Sequence, residues 1–148
     1  MTTATTTVSS TRPVTESSTE GRGVRFARRV FSIAGWYGLV VMLPNFFLEA
    51  KIGRDFPPAI THPENYYGFI CVTLAWQVLF LIIARDPVRF RAAMIAAVLE
   101  KFPFVFSMSV LYAQGRVAPV FLAPVAIDFV LGLLFIASYR ATPSRVAG

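Results

Sequence analysis

The chain has 148 residues, 55% of them apolar, and the apolar residues are gathered into long blocks. The length suits one domain, and the blocks, with a mean hydropathy of +0.60, argue against an ordinary soluble globular protein. The net charge of +6 comes from cations that flank the blocks. This pattern favours attraction to an anionic membrane over nucleic-acid binding.

The first 29 residues are polar. Residues 1–23 are rich in Thr and Ser and predict a disordered tail. Residues 22–29 carry four arginines and lead straight into apolar sequence, so we interpret them as a membrane-edge anchor. The first apolar block begins near residue 30 and has no small-residue cleavage site. It therefore predicts a retained helix and not a cleaved signal peptide.

Four apolar blocks follow, each long enough to cross a hydrocarbon core of about 30 Å at about 1.5 Å per residue. We predict an all-α polytopic membrane four-helix bundle over residues 30–140 and a short tail at 141–148. The predicted spans are residues 30–48, 66–84, 92–112 and 117–139.

Local signals mark the ends of the predicted helices. Thr61 and Glu64 have the spacing of a capping box before the second span. Asp86 followed by Pro87 predicts the N-cap and first position of the third helix. Gly115 suits the C-terminal end of that helix.

The cations are distributed unevenly between the two ends of the predicted bundle. With a cytoplasmic N-terminus, ten lie on the cytoplasmic side and three on the other, which is a strong positive-inside bias. We therefore predict a multi-pass protein of the bacterial inner (plasma) membrane with both termini cytoplasmic. The basic loop at residues 85–91 is interpreted as a contact for lipid headgroups. The cytoplasmic set is Arg12, Arg22, Arg25, Arg28, Arg29, Arg85, Arg89, Arg91, Arg140 and Arg145, and the opposite set is Lys51, Arg54 and Arg116.

Three charged residues, Glu100, Lys101 and Asp128, lie inside apolar spans. A charge at a helix centre costs about 2.5–3.5 kcal/mol on insertion scales, so such residues normally face a partner or a cavity. Measured from the cytoplasmic ends of their spans, the three lie about 12–16 Å deep. Tyr37 and Gln77, about 10 Å deep, add a polar side chain from each of the other two spans.

We predict that these five residues converge on the bundle axis as a ligand-binding site, with Lys101 paired to Asp128 or to Glu100. Neighbouring residues point about 100° apart on a helix. We therefore expect one of Glu100 and Lys101 to contact Asp128 while the other faces Gln77, Tyr37 or a ligand. The alternative is a buried ion pair that only fixes helix packing and register.

The loop at residues 49–65 offers a second candidate site. His62 and Glu64 could act as an external acid/base or gating group, although capping and interfacial anchoring explain Glu64 and the nearby tyrosines without chemistry. One histidine, scattered carboxylates and the single Cys71 form no metal framework. With no phosphate-binding or nucleophile motif either, we predict no metal and no cofactor.

Two segments carry a resemblance to known families: Tyr66-Tyr67-Gly68-Phe69 at the entry to the second span, and Asp128 with Gly132-Leu133-Leu134-Phe135 in the fourth. Through them the chain resembles the DoxX-like small four-helix bacterial membrane proteins over residues 30–140. That resemblance implies an accessory or quinone-associated membrane subunit.

A second pattern, Asp86-x-x-Arg89-Phe90 with Glu100 further along the third span, resembles the acidic inner-helix pattern of the EXPERA group of four-helix sterol isomerases and ligand receptors. Neither resemblance assigns a catalytic residue.

Together these features predict binding of a small apolar or amphipathic molecule, a quinone or a lipid, beside the Glu/Lys/Asp cluster, in a protein that could serve as an accessory subunit. An alternative is a membrane enzyme in which Glu100 or Asp128 moves a proton on a lipid-like substrate. A third is a small proton-coupled carrier. The expected partners are membrane lipids, the quinone or lipid ligand, and a second copy or a partner membrane subunit, with no nucleic acid.

Overall fold

The computed structural model describes residues 14–144, with side chains from residue 21 onward, and its regular elements are all helices. Turns of 3₁₀ helix at Leu43–Phe47 and Pro119–Phe121 follow the first helix and precede the last. The α-helices are α1 (Val14–Met42), α2 (Glu49–Asp55), α3 (Pro63–Arg85), α4 (Ala93–Ala113) and α5 (Leu122–Ala141).

Four helical segments are long and apolar enough to cross a membrane. This confirms the predicted all-α class and four helices of suitable length and apolarity, while membrane insertion and the orientation of the termini stay predictions. The segments are Gly21–Phe47, Pro63–Arg85, Ala93–Ala113 and Pro119–Ala141.

The first helix begins earlier than its span was predicted to begin. α1 starts at Val14, so the prediction of disorder is wrong for residues 14–23, which are helical, and the basic anchor at 22–29 belongs to the same helix. Arginine is a good helix former, and the basic segment gains a packing partner because Gly23 lies directly against Ala141 of α5. Residues 1–13 of the predicted tail and residues 145–148 lie outside the described part of the chain.

The helix-start prediction at Asp86 is wrong for α4. The Asp86 carboxylate accepts a hydrogen bond from the backbone N–H of Arg89 at 3.0 Å, and the Asp86 carbonyl accepts one from Phe90 at 3.1 Å. These bonds close a turn over residues 87–92, and α4 begins only at Ala93. Asp86 is thus a local cap, as its type suggests, but of a turn that joins two helices.

The other two end signals have opposite outcomes. The capping box is wrong, because α3 begins at Pro63 with His62 as N-cap and no side chain caps it. Gly115 is confirmed: it has φ 69°, its N–H donates to the Tyr112 carbonyl at 2.9 Å, and the N–H of Arg116 donates to Leu111 at 3.0 Å. This is the Schellman arrangement that a glycine just past a helix end permits.

The four long helices form an antiparallel bundle in which α1 packs along α3 and α5, α4 packs along α5, and α3 barely touches α4. The starts of α1 and α4 and the ends of α3 and α5 meet at one end of the bundle. Arg28 Nη2 there donates to the Arg85 carbonyl at 3.4 Å, and Arg91 Nε donates to the Thr142 carbonyl at 2.8 Å. We call this the arginine-rich end; its described arginines are Arg22, Arg25, Arg28, Arg29, Arg85, Arg89, Arg91 and Arg140.

The core of the bundle lies in the half next to the arginine-rich end. Phe31, Phe80 and Phe135, one from each of α1, α3 and α5, are fully buried. The rings of Phe31 and Phe135 stack with centroids 4.4 Å apart, and Phe80 meets Phe135 edge-on at 5.0 Å. The opposite half has few buried residues: residues 39–76 include one, Ile70, and residues 102–131 include one, Val125. The bundle is therefore tightly packed at one end and loosely packed at the other.

The close contact of α1 with α5 makes a testable prediction. A Cβ at Gly23 would overlap the backbone carbonyl oxygen of Ala141, whereas a Cβ at Gly21 would come no closer than 3.5 Å to the Arg25 guanidinium. Because a backbone carbonyl cannot move aside, we expect Gly23→Ala to destabilise the bundle by about 1–3 kcal/mol, as overpacking does. Gly21→Ala, the matched control, should be neutral or stabilising by up to about 1 kcal/mol. Unfolding in detergent measures both, and equal effects would contradict the packing explanation.

Candidate functional site

Glu100, Lys101 and Asp128 meet inside the bundle, and we call them the triad. Lys101 Nζ lies 2.8 Å from Asp128 Oδ1 and 3.1 Å from Glu100 Oε2. It also donates a long hydrogen bond to Glu100 Oε1 at 3.4 Å. The exposed fractions of the three side chains are 16% for Glu100, 6% for Lys101 and 21% for Asp128. One ammonium group is thus held between two carboxylates, largely away from the surface.

The triad forms because α4 and α5 approach closely at Gly132, one turn beyond Asp128. A Cβ at Gly132 would lie 3.0 Å from the Phe102 ring and 3.4 Å from Lys101 Cβ. Glycine therefore leaves room for the Phe102 ring and lets α5 lie against α4 beside Lys101. The flexible four-carbon stem then reaches both carboxylates. Of Glu100 and Lys101, only Lys101 contacts Asp128, as expected. Glu100 instead pairs with Lys101, because the flexible Lys101 stem can curve back to its own neighbour.

The aromatic core closes one side of the triad. Lys101 Nζ lies 5.6 Å from the centroid of the Phe80 ring, a distance at which a cation and an aromatic face attract each other. Since Phe80 also packs against Phe31 and Phe135, the path from the triad toward the arginine-rich end is blocked by packed rings. Whatever reaches the triad has to come from the loosely packed half.

One carboxylate oxygen of the triad has no hydrogen-bond donor. Glu100 Oε2 is buried and, among the described residues, accepts no hydrogen bond. It lies 3.1 Å from Lys101 Nζ as an ion pair, while the hydrogen bond from that ammonium goes to the other carboxylate oxygen, Oε1. Two carboxylates against one ammonium also leave a net charge of −1 when all three groups are ionised. The site is therefore able to take a proton or one more hydrogen-bond donor.

Gln77 is buried but does not join the triad. Its side chain, 3% exposed, lies against Gly38 of α1, where a Cβ would overlap the amide oxygen. Its Nε2 donates to the Thr73 carbonyl one turn earlier, at 3.2 Å. No hydrogen bond links Gln77 to the triad within residues 21–144, so its amide is turned along its own helix.

Tyr37 lies on the outside of α1. It is 40% exposed, and its hydroxyl makes no hydrogen bond to any residue that the structure describes. The buried positions on this part of α1 are Ala34, Gly35 and Gly38, so small residues and not Tyr37 form the α1 face toward the bundle. Of the five residues expected to converge, the structure brings three together.

The loop candidates His62 and Glu64 pair with each other at the surface. His62 Nδ1 lies 3.1 Å from Glu64 Oε1, and their side chains are 70% and 69% exposed. Nearby, the hydroxyls of Tyr66 and Tyr67 donate to the Asn45 carbonyl and the Glu49 carboxylate, each at 2.7 Å. These bonds fasten the loop to the start of α3 at the end opposite the arginine-rich one. Among the described residues no group of three His, Cys, Asp or Glu side chains could hold a metal ion.

Arg91 has a role that differs from the expected headgroup contact. Besides its bond to Thr142, its guanidinium lies 3.9 Å over the ring of Tyr139. Both partners belong to the end of α5, so Arg91 ties the turn before α4 to the end of the neighbouring helix. One of its five N–H donors and one face of its guanidinium therefore make structural contacts within the chain, and the headgroup contact of this loop stays a prediction.

Sequence reasoning missed the residues that support the triad. Phe31, Phe80 and Phe135 lie in continuous apolar runs where periodicity does not single them out, and Gly132 was noted only within a family resemblance. The available signal was the spacing of Asp128 and Gly132, four residues apart and so on one helix face. No protein-family model, curated protein or solved structure matches the chain.

Proposed function

We propose that this chain is a multi-pass membrane protein that binds the polar group of a small amphipathic molecule, a quinol or a hydroxyl-bearing lipid, at the triad. The observation that carries the proposal is the triad itself: two largely buried carboxylates share one ammonium, and Glu100 Oε2, held by that ammonium only as an ion pair, accepts no hydrogen bond from the described residues. Intramembrane ionisable groups normally mark ligand, ion or proton sites.

The chemistry of the triad selects the kind of group bound. A hydrogen bond to a charged group contributes about 1.5–3 kcal/mol, so a ligand hydroxyl that donates to Glu100 Oε2 adds a contact that the ion pair with Lys101 does not supply. The Lys101 ammonium holds Glu100 and Asp128 in place and supplies charge to a ligand oxygen beside it. A pure hydrocarbon offers neither contact. The preferred ligand therefore has an apolar body and at least one hydroxyl.

The packing of the helices supports access from one side. α3 and α4 barely touch, and the half of the bundle beyond the triad buries few residues. An apolar ligand body can lie in this half while its polar group reaches Glu100. The opposite route is closed by Phe80 and its aromatic neighbours.

The same proposal assigns the orientation and location of the chain. With the arginine-rich end in the cytoplasm, the described arginines follow the positive-inside rule, and the triad opens toward the opposite face. The location that fits this orientation is the inner membrane of a bacterium.

Acid/base catalysis on a lipid-like substrate is the second candidate, and it rests on the same Glu100 oxygen. A carboxylate with one free oxygen beside an ammonium can accept a proton from a bound substrate and return it at another atom. Such an enzyme converts its lipid over time, whereas a binding protein releases it unchanged.

We expect Glu100→Gln to lose the co-purifying ligand while the protein stays folded. The amide keeps the size of the side chain but replaces one acceptor oxygen by a donor, so the ligand hydroxyl loses its partner. A charge-assisted hydrogen bond contributes about 1.5–3 kcal/mol, so retention should fall about 10- to 100-fold. Native mass spectrometry of the protein with its bound lipids measures this.

Glu64→Gln is the matched control, because it makes the same change at a side chain that is 69% exposed. It should retain the ligand fully. Equal retention by Glu100→Gln and by the unaltered protein would overturn the binding proposal. Conversion of a retained lipid during incubation, abolished by Glu100→Gln, would favour the enzyme.

A further inference from the structure

A groove lies on the outside of the bundle, between α1 and α3 at the arginine-rich end. It is lined by Arg28, Ser32 and Trp36 of α1 and by Leu81, Ala84 and Arg85 of α3. Trp36 is 61% exposed although it is the largest apolar side chain of this surface. None of its lining residues belongs to the triad, which lies between α4 and α5, so the groove is separate from the site described above.

The lining residues are ordered by polarity along the helix axes. Arg28, Ser32 and Trp36 follow one another at intervals of four, as do Leu81 and Arg85, so each series lies on one helix face. The two arginines lie at the edge of the bundle, Ser32 is one turn deeper, and Trp36 and Leu81 form the apolar part. The polarity of this surface therefore falls steadily with depth.

The charge at the edge of the groove is positive and locally unopposed. In residues 21–48 and 65–99 the sole acidic residue is Asp86, whose carboxylate accepts the Arg89 backbone N–H. One Arg28 nitrogen donates to the Arg85 carbonyl, which fixes that guanidinium beside the end of α3. Within residues 21–144, Arg85 makes no ion pair, so its donors face the groove mouth or the surroundings.

Helix packing next to the groove is rigid. Gly35, between Ser32 and Trp36, lies so close to α3 that a Cβ there would be 2.7 Å from Leu81 and 3.0 Å from the Gln77 carbonyl. This contact fixes the separation of α1 and α3. The two arginines, one on each helix, are therefore held at a set spacing, as a phosphate site requires.

We infer that this groove binds one anionic glycerophospholipid, with the phosphate at Arg28 and Arg85 and an acyl chain along Trp36 and Leu81. Positive charge at the membrane edge, a hydroxyl one turn deeper and an aromatic wall below match the order of phosphate, ester and hydrocarbon in such a lipid. A neutral lipid does not complement the two arginines, and free phosphate leaves the apolar wall uncovered. The inference rests on the membrane insertion proposed above, but not on the triad.

Trp36 is itself the reporter for a test. In a Trp76→Phe background Trp36 is the single tryptophan, and its fluorescence is quenched by brominated acyl chains lying against it. Full-length protein is reconstituted in vesicles made of phosphatidylcholine and phosphatidylglycerol. In one preparation the phosphatidylglycerol is brominated, and in the other an equal amount of the phosphatidylcholine is brominated. We expect stronger quenching by phosphatidylglycerol, and we expect that preference to fall about tenfold in Arg28→Gln/Arg85→Gln.

The control is Arg29→Gln/Arg140→Gln, which removes the same charge from the same end at two exposed arginines outside the groove. It should keep most of the preference. Equal losses in the two double variants, or equal quenching by the two lipids in the starting protein, would overturn the site while leaving membrane insertion intact. Displacement of the lipid by excess inorganic phosphate would also overturn it, in favour of a simple anion site. No quenching by either lipid would contradict the membrane insertion itself.

Discussion

Replacing Lys101 by methionine is expected to destabilise the protein by about 3–5 kcal/mol, the range seen when one partner of a buried ion pair is removed. Methionine fills nearly the same volume, so the loss comes from charge and not from a cavity. Glu100 and Asp128 would remain as two largely buried carboxylates without their shared cation. Unfolding by a denaturing detergent in mixed micelles measures the change in the free energy of unfolding.

Two further variants make this test specific. Lys51→Met removes an exposed lysine that pairs with Asp55 one turn away on α2, and it should change stability by less than about 1 kcal/mol. The triple variant Glu100→Gln/Lys101→Met/Asp128→Asn removes all three charges together and should recover most of the lost stability. A small effect of Lys101→Met alone would mean that the triad is not desolvated.

The triple variant also separates binding from packing. If the triad only fixes helix register, a stable uncharged version should keep every property of the protein, including its co-purified lipid. If the triad binds a ligand hydroxyl, the triple variant should be stable and empty. Stability and ligand content, measured on the same preparation, distinguish these outcomes.

Phe135→Ala is expected to have the second large effect. Phe135 is fully buried and packs face to face with Phe31 and edge-on with Phe80, so its removal leaves a cavity where three helices meet. We expect a loss of about 3 kcal/mol, at the lower end for a phenylalanine-to-alanine change in a core. The expected loss is at the lower end of the range because lipid tails also solvate an exposed phenylalanine in the unfolded state. The stability lost is then mainly that of side-chain packing.

Phe106→Ala provides the control for this change. Phe106 belongs to α4 and is 71% exposed, so the same truncation there should change stability by less than about 0.5 kcal/mol. Because Phe80 also faces Lys101, Phe135→Ala should loosen the closed side of the triad as well. Similar losses in the two variants would contradict the assignment of the core to the arginine-rich half.

The successful sequence predictions concern features that are local or averaged over many residues. Four apolar blocks of sufficient length predicted four long helices, and Gly115 predicted a helix end because φ 69° is readily adopted by glycine alone. The errors at Thr61 and Asp86 differ. After Thr61 a helix does begin, but at Pro63 with His62 as its N-cap and no side-chain cap. After Asp86 a turn follows and not a helix, because a capping side chain can bond the backbone N–H groups of either.

The sequence by itself determined that three charged groups lie within apolar helices, since their cost in hydrocarbon follows from composition and depth alone. It did not determine which of the five polar side chains would meet. That depended on helix rotation and separation, which Gly132 sets for the triad and Gly38 sets for Gln77. Tyr37 lies at a suitable depth but on another face of α1, and rotation about a helix axis is fixed only by contacts with neighbouring helices.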